Sequence, residues 1–219
     1  RLEDIDLSKI ENIKQSSFIY DADDNLITSI YGIENRVNIP LSDIPQHVRN
    51  AFIAVEDIRF YKHHGFDVKR IFGSLLENIK QGRYAQGAST ITQQVARNSF
   101  LSQKKTINRK IQEIYLAYKL ERKYSKDQIL QMYLNLIYFG KGAYGIEAAS
   151  RLYFGKPAKD LTVAEGALLA GIPKNPQKYS PFIDLSKSLA RKDLVIDLMV
   201  VNGYLSAEEG NNIKKEKLN

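Results

Sequence analysis

The stretch Ile107-Asn108-Arg109-Lys110-Ile111-Gln112-Glu113-Ile114-Tyr115-Leu116-Ala117-Tyr118 decides the architecture. Apolar side chains at Ile107, Ile111, Ile114 and Tyr118 recur at helical spacing and predict one long helix with that stripe turned to a core. The pattern continues on both sides. Ser42-Asp43 and Pro45 open a helix carrying Val48, Ala51, Phe52 and Val55, which ends near Glu56. Asp67 is placed to cap a helix through Ile71, Leu75, Leu76 and Ile79 that Gly82 stops, and Ser89 to cap another through Ile91 and Val95. Ser125 with Gln128, Thr162 with Glu165 and Ser206 with Glu209 have capping-box spacing. Phe18 to Tyr20 and Leu26 to Tyr31 are β-prone runs around the turn-forming Asp21-Ala22-Asp23-Asp24-Asn25, so a hairpin is predicted near the N-terminus. Helix following helix gives a mainly α domain, with no internal repeat and no glycine-rich strand-to-helix turn.

Composition narrows the function classes. With 219 residues, 43% of them hydrophobic, the chain can bury a sizeable core. Lysine and arginine exceed aspartate and glutamate by 32 to 25, a net charge of +7 that favours an anionic partner such as phosphate, nucleic acid or acidic lipid. There is no cysteine, which excludes disulfides, zinc-thiolate sites and thiol nucleophiles. No stretch approaches the roughly 20 apolar residues that cross a bilayer. The chain opens without methionine on the polar run Arg1 to Asp6 and closes on Lys214 to Lys217, as an excised piece of a longer, membrane-anchored protein would.

Three clusters could carry chemistry. Glu56-Asp57-Ile58-Arg59-Phe60-Tyr61-Lys62-His63-His64-Gly65 crowds carboxylates, cations and aromatics just past a helix end. Glu56, next to Val55 and Ala54, is the better candidate for a base at the apolar edge of a cleft. The bland alternative pairs Glu56 and Asp57 with Arg59 and Lys62 as surface salt bridges. Gly87-Ala88-Ser89-Thr90-Ile91-Thr92-Gln93-Gln94 brings hydroxyls and free amides to a helix start, where a phosphate is favoured, or is simply a well-capped helix. Arg97, Lys104, Lys105, Arg109, Lys110 and Glu113 form the third. Arg109, Lys110 and Glu113 share one side of a helix, either to hold a diphosphate leaving group or as a solvated ion-pair ladder.

In this order the clusters resemble the signature of family 51 glycosyltransferases, the peptidoglycan polymerases found alone or at the front of class A penicillin-binding proteins. E-D-x-x-F-x-x-H-x-G is matched at Glu56, Asp57, Phe60, His63 and Gly65. G-x-S-T-I-T-Q-Q is matched at Gly87 and Ser89 to Gln94, and R-K-x-x-E at Arg109, Lys110 and Glu113. Ile129-Leu130, Tyr133-Leu134-Asn135, Tyr138-Phe139-Gly140, Ala143-Tyr144-Gly145, Ala164-Glu165 and Pro173-Lys174 to Pro176 also look like the family. Gln112 departs, standing where members often carry a basic residue.

The resemblance implies a lysozyme-like helical core with a smaller membrane-proximal lobe, spanning residues 66–105 of a catalytic domain at 41–219, behind an N-terminal segment at 1–40. It implies inverting polymerisation of lipid II into β-1,4-linked glycan with release of undecaprenyl diphosphate. Glu56 would be the general base and Glu113 would assist the leaving group, directly or through a bound divalent cation, magnesium or manganese; no organic cofactor is implied. Arg109 and Lys110 would neutralise phosphate charge. Ser89, Gln93, Gln94, Arg97 and Lys105 match donor-subsite positions, and Asp57, Arg59, Phe60 and His63 would shape the wall of the first motif. The expected partners are lipid II, the growing glycan and the membrane surface, with a transpeptidase domain on the same polypeptide and no nucleic acid. The expected location is the extracytoplasmic face of a bacterial membrane, held by an N-terminal transmembrane helix absent from this chain. Phe66, Phe72, Leu75, Leu76, Ile79 and Tyr84, flanked by Lys80 and Arg83, read either as a shallowly inserted patch or as a core stripe. A lysozyme-like glycan hydrolase and a non-enzymatic basic lipid- or nucleic-acid-binding module are the competing readings.

Overall fold

The structure, a computed structural model, describes strands Ser17–Tyr20 and Leu26–Ile30 together with residues 35–69, 89–101 and 107–218. It is mainly α. The described strands β1 (Ser17–Tyr20) and β2 (Leu26–Ile30) form the expected antiparallel hairpin, pairing Ser17 with Ile30 and Phe18 with Ser29, with an irregularity after Ile19. The turn between them and Tyr31 lie outside the described residues. A second, parallel pairing joins β3 (Asn35–Arg36) to β4 (Ala143–Tyr144), which hydrophobic patterning could not announce because each strand is two residues long.

The chain divides into two compact units, one containing Glu56–Tyr133 and the other containing the described parts of 12–55 and 134–219. In the second unit, α1 (Gln46–Glu56) begins one residue after Pro45, and its Val48, Ala51 and Phe52 are buried as the spacing requires. Two further helices there, α5 (Ile146–Phe154) and α6 (Val163–Gly171), follow β4. Every residue of α6 from Ala164 to Gly171 is buried, as befits a helix apolar but for Glu165, which caps its own start and pairs with Lys156. A Cβ on Gly166 would come 3.0 Å from the Val48 side chain, so the absence of a side chain is what lets α1 lie this close. The short α7 (Pro176–Tyr179) leads into α8 (Leu185–Val201), which is followed by α9 (Ala207–Lys215). The capping boxes read from sequence form at Thr162/Glu165 and Ser206/Glu209.

The first unit is built on α2 (Ile91–Phe100) packed against α3 (Ile107–Lys123), with the start of α4 (Lys126–Leu136) behind them. Ile91, Val95, Leu116, Ala117, Leu120, Ile129 and Leu130 are fully buried. Ser125 and Gln128 exchange the capping bonds predicted for α4. Two corrections belong here. Thr90, not Ser89, caps α2, through a reciprocal box with Gln93. The stripe read on α3 also faces outward: Ile111 is 56% and Tyr118 45% exposed, and the buried face is Glu113, Leu116, Ala117 and Leu120 instead. The helix carries two candidate stripes, and periodicity by itself selects the one without a carboxylate.

Gly65 closes the first motif with φ +90, and a Cβ there would sit 2.9 Å from the backbone carbonyl of Ala117. Both left-handed backbone and close approach demand glycine. Gly65→Ala is expected to cost at least about 2 kcal/mol, read as a lowered midpoint in thermal unfolding; an unchanged midpoint contradicts the packing of Gly65 on α3.

Candidate active site

Glu56 ends α1, and its Oε2 accepts a hydrogen bond from Gln94 Nε2 at 2.8 Å. Asp57 follows and is completely buried. Its Oδ2 accepts the backbone N–H of Ile91, the first residue of α2, at 2.9 Å and pairs with His63 Nε2 at 2.8 Å. A carboxylate at the positive end of a helix, bonded through one oxygen to a backbone amide and an imidazole, is held in place. Thr90 Oγ1 adds a bond to the Gly65 carbonyl at 2.6 Å, so the first motif and the start of α2 are one fixture. The surface salt-bridge alternative therefore does not hold for Asp57. Arg59 pairs with buried Asp67 at 3.4 Å, and Phe60 and His63 lie behind the surface.

The cationic side is built on α3. Glu113 is wholly buried; its Oε1 accepts from Lys110 Nζ at 2.8 Å, and the same ammonium donates to Ser89 Oγ at 2.8 Å. Arg97 NH1 stands 3.9 Å from that oxygen. The Lys110 side chain is 43% exposed, so its charge reaches outward while its partner carboxylate does not. Glu113 Oε2 has no hydrogen-bond partner among the described residues, and a buried acceptor left open in this way marks a place for a donor or a cation. Arg109 is partly exposed one turn before Glu113. Among the described residues no three His, Cys, Asp or Glu side chains converge on a metal-binding point.

Gln94 and Arg97 stand three apart on α2 and so project from one face of it. Gln94 reaches Glu56 and Arg97 reaches Glu113, which ties both carboxylates to the same helix face. Gln93 is different. Its Oε1 accepts the Thr90 N–H at 2.9 Å and it is 1% exposed, so it serves the helix start. Lys105, Gly87 and the apolar positions from Phe72 to Tyr84 lie outside the described residues.

Glu121, Lys126 and the burial of Tyr133 escaped sequence reasoning. Thr92 Oγ1 donates to Glu121 at 2.6 Å, and Lys126 Nζ donates to the same carboxylate at 2.7 Å, fastening α2, α3 and α4 together. Tyr133 is buried beside the first motif; burial pushes its hydroxyl well above the usual phenol range, the negative charge of Glu56 adds to the shift and Arg97 opposes it. A phenol that stays protonated near a carboxylate is a permanent donor. Only its place in the Tyr133-Leu134-Asn135 stretch hinted at it.

The geometry defines a helical transferase site with one carboxylate bonded to a neutral amide and another flanked by cations. The transglycosylase family profile matches residues 23–200, and the chain belongs to that family. It is 50% identical to penicillin-binding protein 1F of Bacillus subtilis over 89% of this chain and 27% of that protein. With penicillin-binding protein 1A of Escherichia coli the identity is 44%, over 92% of this chain and 24% of that protein. The solved structure of penicillin-binding protein 1A from Haemophilus influenzae superposes with a TM-score of 0.53 and 26% identity, covering 94% of this chain and 20% of that one. The chain thus spans about a quarter of the length of these relatives. Membership makes it an enzyme of the peptidoglycan glycosyltransferase class, and neither the glycan hydrolase nor the non-enzymatic module is favoured.

Asp57→Ala removes a buried anion from two donors and is expected to cost about 3–5 kcal/mol. Thermal unfolding and amide exchange at Ile91 check it; unaltered protection of that amide contradicts the role of Asp57 as anchor.

Proposed function

We propose that this chain joins lipid II units into β-1,4-linked glycan. Glu56 accepts the proton of the acceptor 4-hydroxyl as that oxygen attacks the anomeric carbon of the donor muramoyl sugar. The C1–O bond to the diphosphate breaks on the opposite side, inverting the centre, and undecaprenyl diphosphate leaves with the bonding pair. Lys110, Arg97 and Arg109 balance the charge that develops on the departing diphosphate, and the Ser89 hydroxyl is positioned with them. Gln94 orients Glu56. Asp57, Arg59, Phe60, His63 and Gln93 support the walls from behind, and Lys105 belongs to the donor subsite by its motif position.

The single observation that carries this reading is the pair of contacts from one face of α2, Gln94 to Glu56 and Arg97 to Glu113. It gives the two carboxylates different surroundings on a common wall, which separate base and leaving-group roles require. Glu113 also suits a magnesium or manganese ion carried on the diphosphate, since its open Oε2 is one hard oxygen ligand and such ions take the remainder from phosphate and water. Bound there, the ion would add positive charge at the leaving oxygens. The names of the relatives support a penicillin-binding, transpeptidase domain on the same polypeptide. No helix among the described residues is long and apolar enough to cross a membrane; the penicillin-binding relatives support attachment at the extracytoplasmic face. Polyprenyl tails on both substrates bring the site to the bilayer surface.

A gel of glycan made from labelled lipid II is the test. Glu56→Gln is expected to lower product at least about 100-fold with folding intact; normal turnover by the folded variant removes Glu56 as base. Chelation is expected to reduce product and magnesium or manganese to restore it, whereas a yield indifferent to both takes the metal away from Glu113.

A further inference from the structure

The outward face of α3 is apolar, aromatic and basic at once. Ile111 and Tyr118 are 56% and 45% exposed, and Ile114 and Tyr115 are half-buried on the same side. The Arg122 guanidinium lies 5.9 Å from the Tyr118 ring centre and the Lys119 ammonium 5.3 Å from that of Tyr115. An exposed apolar stripe is costly in water, and cations folded back over tyrosine rings are how side chains at a lipid interface keep their charge at the headgroup level. Tyr118 also lines a cavity of about 390 Å³ with Arg59, His64, Phe66 and Lys69. Its one acid, Asp67, is 2% exposed and engaged by Arg59. Lys69 and His64 are exposed, and so is Val68 beside them, at 49%. The opening therefore offers positive charge above an apolar floor.

We propose that this cavity and the adjoining face of α3 bind the headgroups of acidic phospholipids, with the phosphate against Lys69 and His64 and the upper acyl chains against Tyr118, Ile111 and Val68. The inference rests on the reading that the enzyme works at the bilayer surface. Charge complementarity selects the occupant: the visible charges are cationic, the chain carries +7, a neutral glycan offers Lys69 no counter-charge, and a zwitterionic lipid offsets its phosphate with its own cation. Lys69 and Tyr118 lie outside the catalytic walls, while Arg59 and His63, which also line the cavity, support those walls from behind. The face also lies on the side of α3 away from buried Glu113, so lipid and diphosphate would not compete.

The experiment is flotation of the chain with phosphatidylcholine vesicles, with and without phosphatidylglycerol, alongside glycan synthesis from lipid II in detergent micelles. Phosphatidylglycerol is expected to strengthen binding. Lys69→Glu is expected to weaken that gain at least about fivefold, and the double variant Ile111→Ser, Tyr118→Ser about tenfold, while both keep wild-type synthesis in micelles. Lys215→Glu, a charge reversal on the exposed side of α9, is expected to change little. Equal loss with Lys215→Glu means diffuse charge and overturns the site, as does undiminished binding by either folded variant. Displacement by millimolar glycerol 1-phosphate would reassign the cavity to a free phosphate ester. Failure of the wild-type chain to make glycan would strike the polymerase reading, whereas synthesis with unaltered vesicle binding strikes this inference alone.

Discussion

One buried carboxylate sets the order of everything around it. Asp57, with no exposed surface, accepts the first amide of α2 and the imidazole of His63. An anion is tolerated there because the helix start presents free N–H groups and the positive end of its dipole; removed from them, the same charge would cost several kcal/mol. The bond fixes where α2 begins relative to the first motif. Glu56 is the neighbouring residue, so fixing Asp57 also fixes the backbone that carries the Glu56 carboxylate. Gln94 and Arg97 then follow at one-turn spacing and carry that placement to both carboxylates.

Much of this was legible in the residues, and the failures have physical causes. Capping boxes depend on local geometry alone, and those at Ser125, Thr162 and Ser206 form as the spacing dictates. At α2 the reading slipped by one residue because Ser89 and Thr90 are both competent caps, and only tertiary context decides between them. Gly65 accepts the Thr90 hydroxyl and Lys110 claims Ser89, which leaves each hydroxyl with one assignment. The exchange matters, since it places Ser89 beside the Lys110 ammonium.

The stripe on α3 failed for a different reason. Periodicity finds apolar residues and assumes that they point inward. Here the inward face contains Glu113, which a hydrophobicity count scores against burial, together with Leu116, Ala117 and Leu120. The carboxylate can be buried because Lys110 and Arg97 accompany it. Functional sites are where local rules are broken and neighbours compensate. An apolar stripe left in water on a helix whose opposite face holds a buried acid is thus the mark of two constraints on one element, a site on one side and a surface on the other.

That double use explains the place of Lys110. Counting 100° per residue, it lies on α3 between the buried side of Glu113 and the exposed side of Ile111 and Tyr118. Its side chain is more than two-fifths exposed, and its ammonium still meets Glu113 and Ser89. A cation fully inside would be neutralised by Glu113, and one fully outside would be screened by salt within about a Debye length of 8–10 Å. At the boundary it keeps its field on the outward side, where an anion can meet it. The glutamate then serves the lysine, because without that buried partner a flexible ammonium would sample solvent rather than stand beside Ser89.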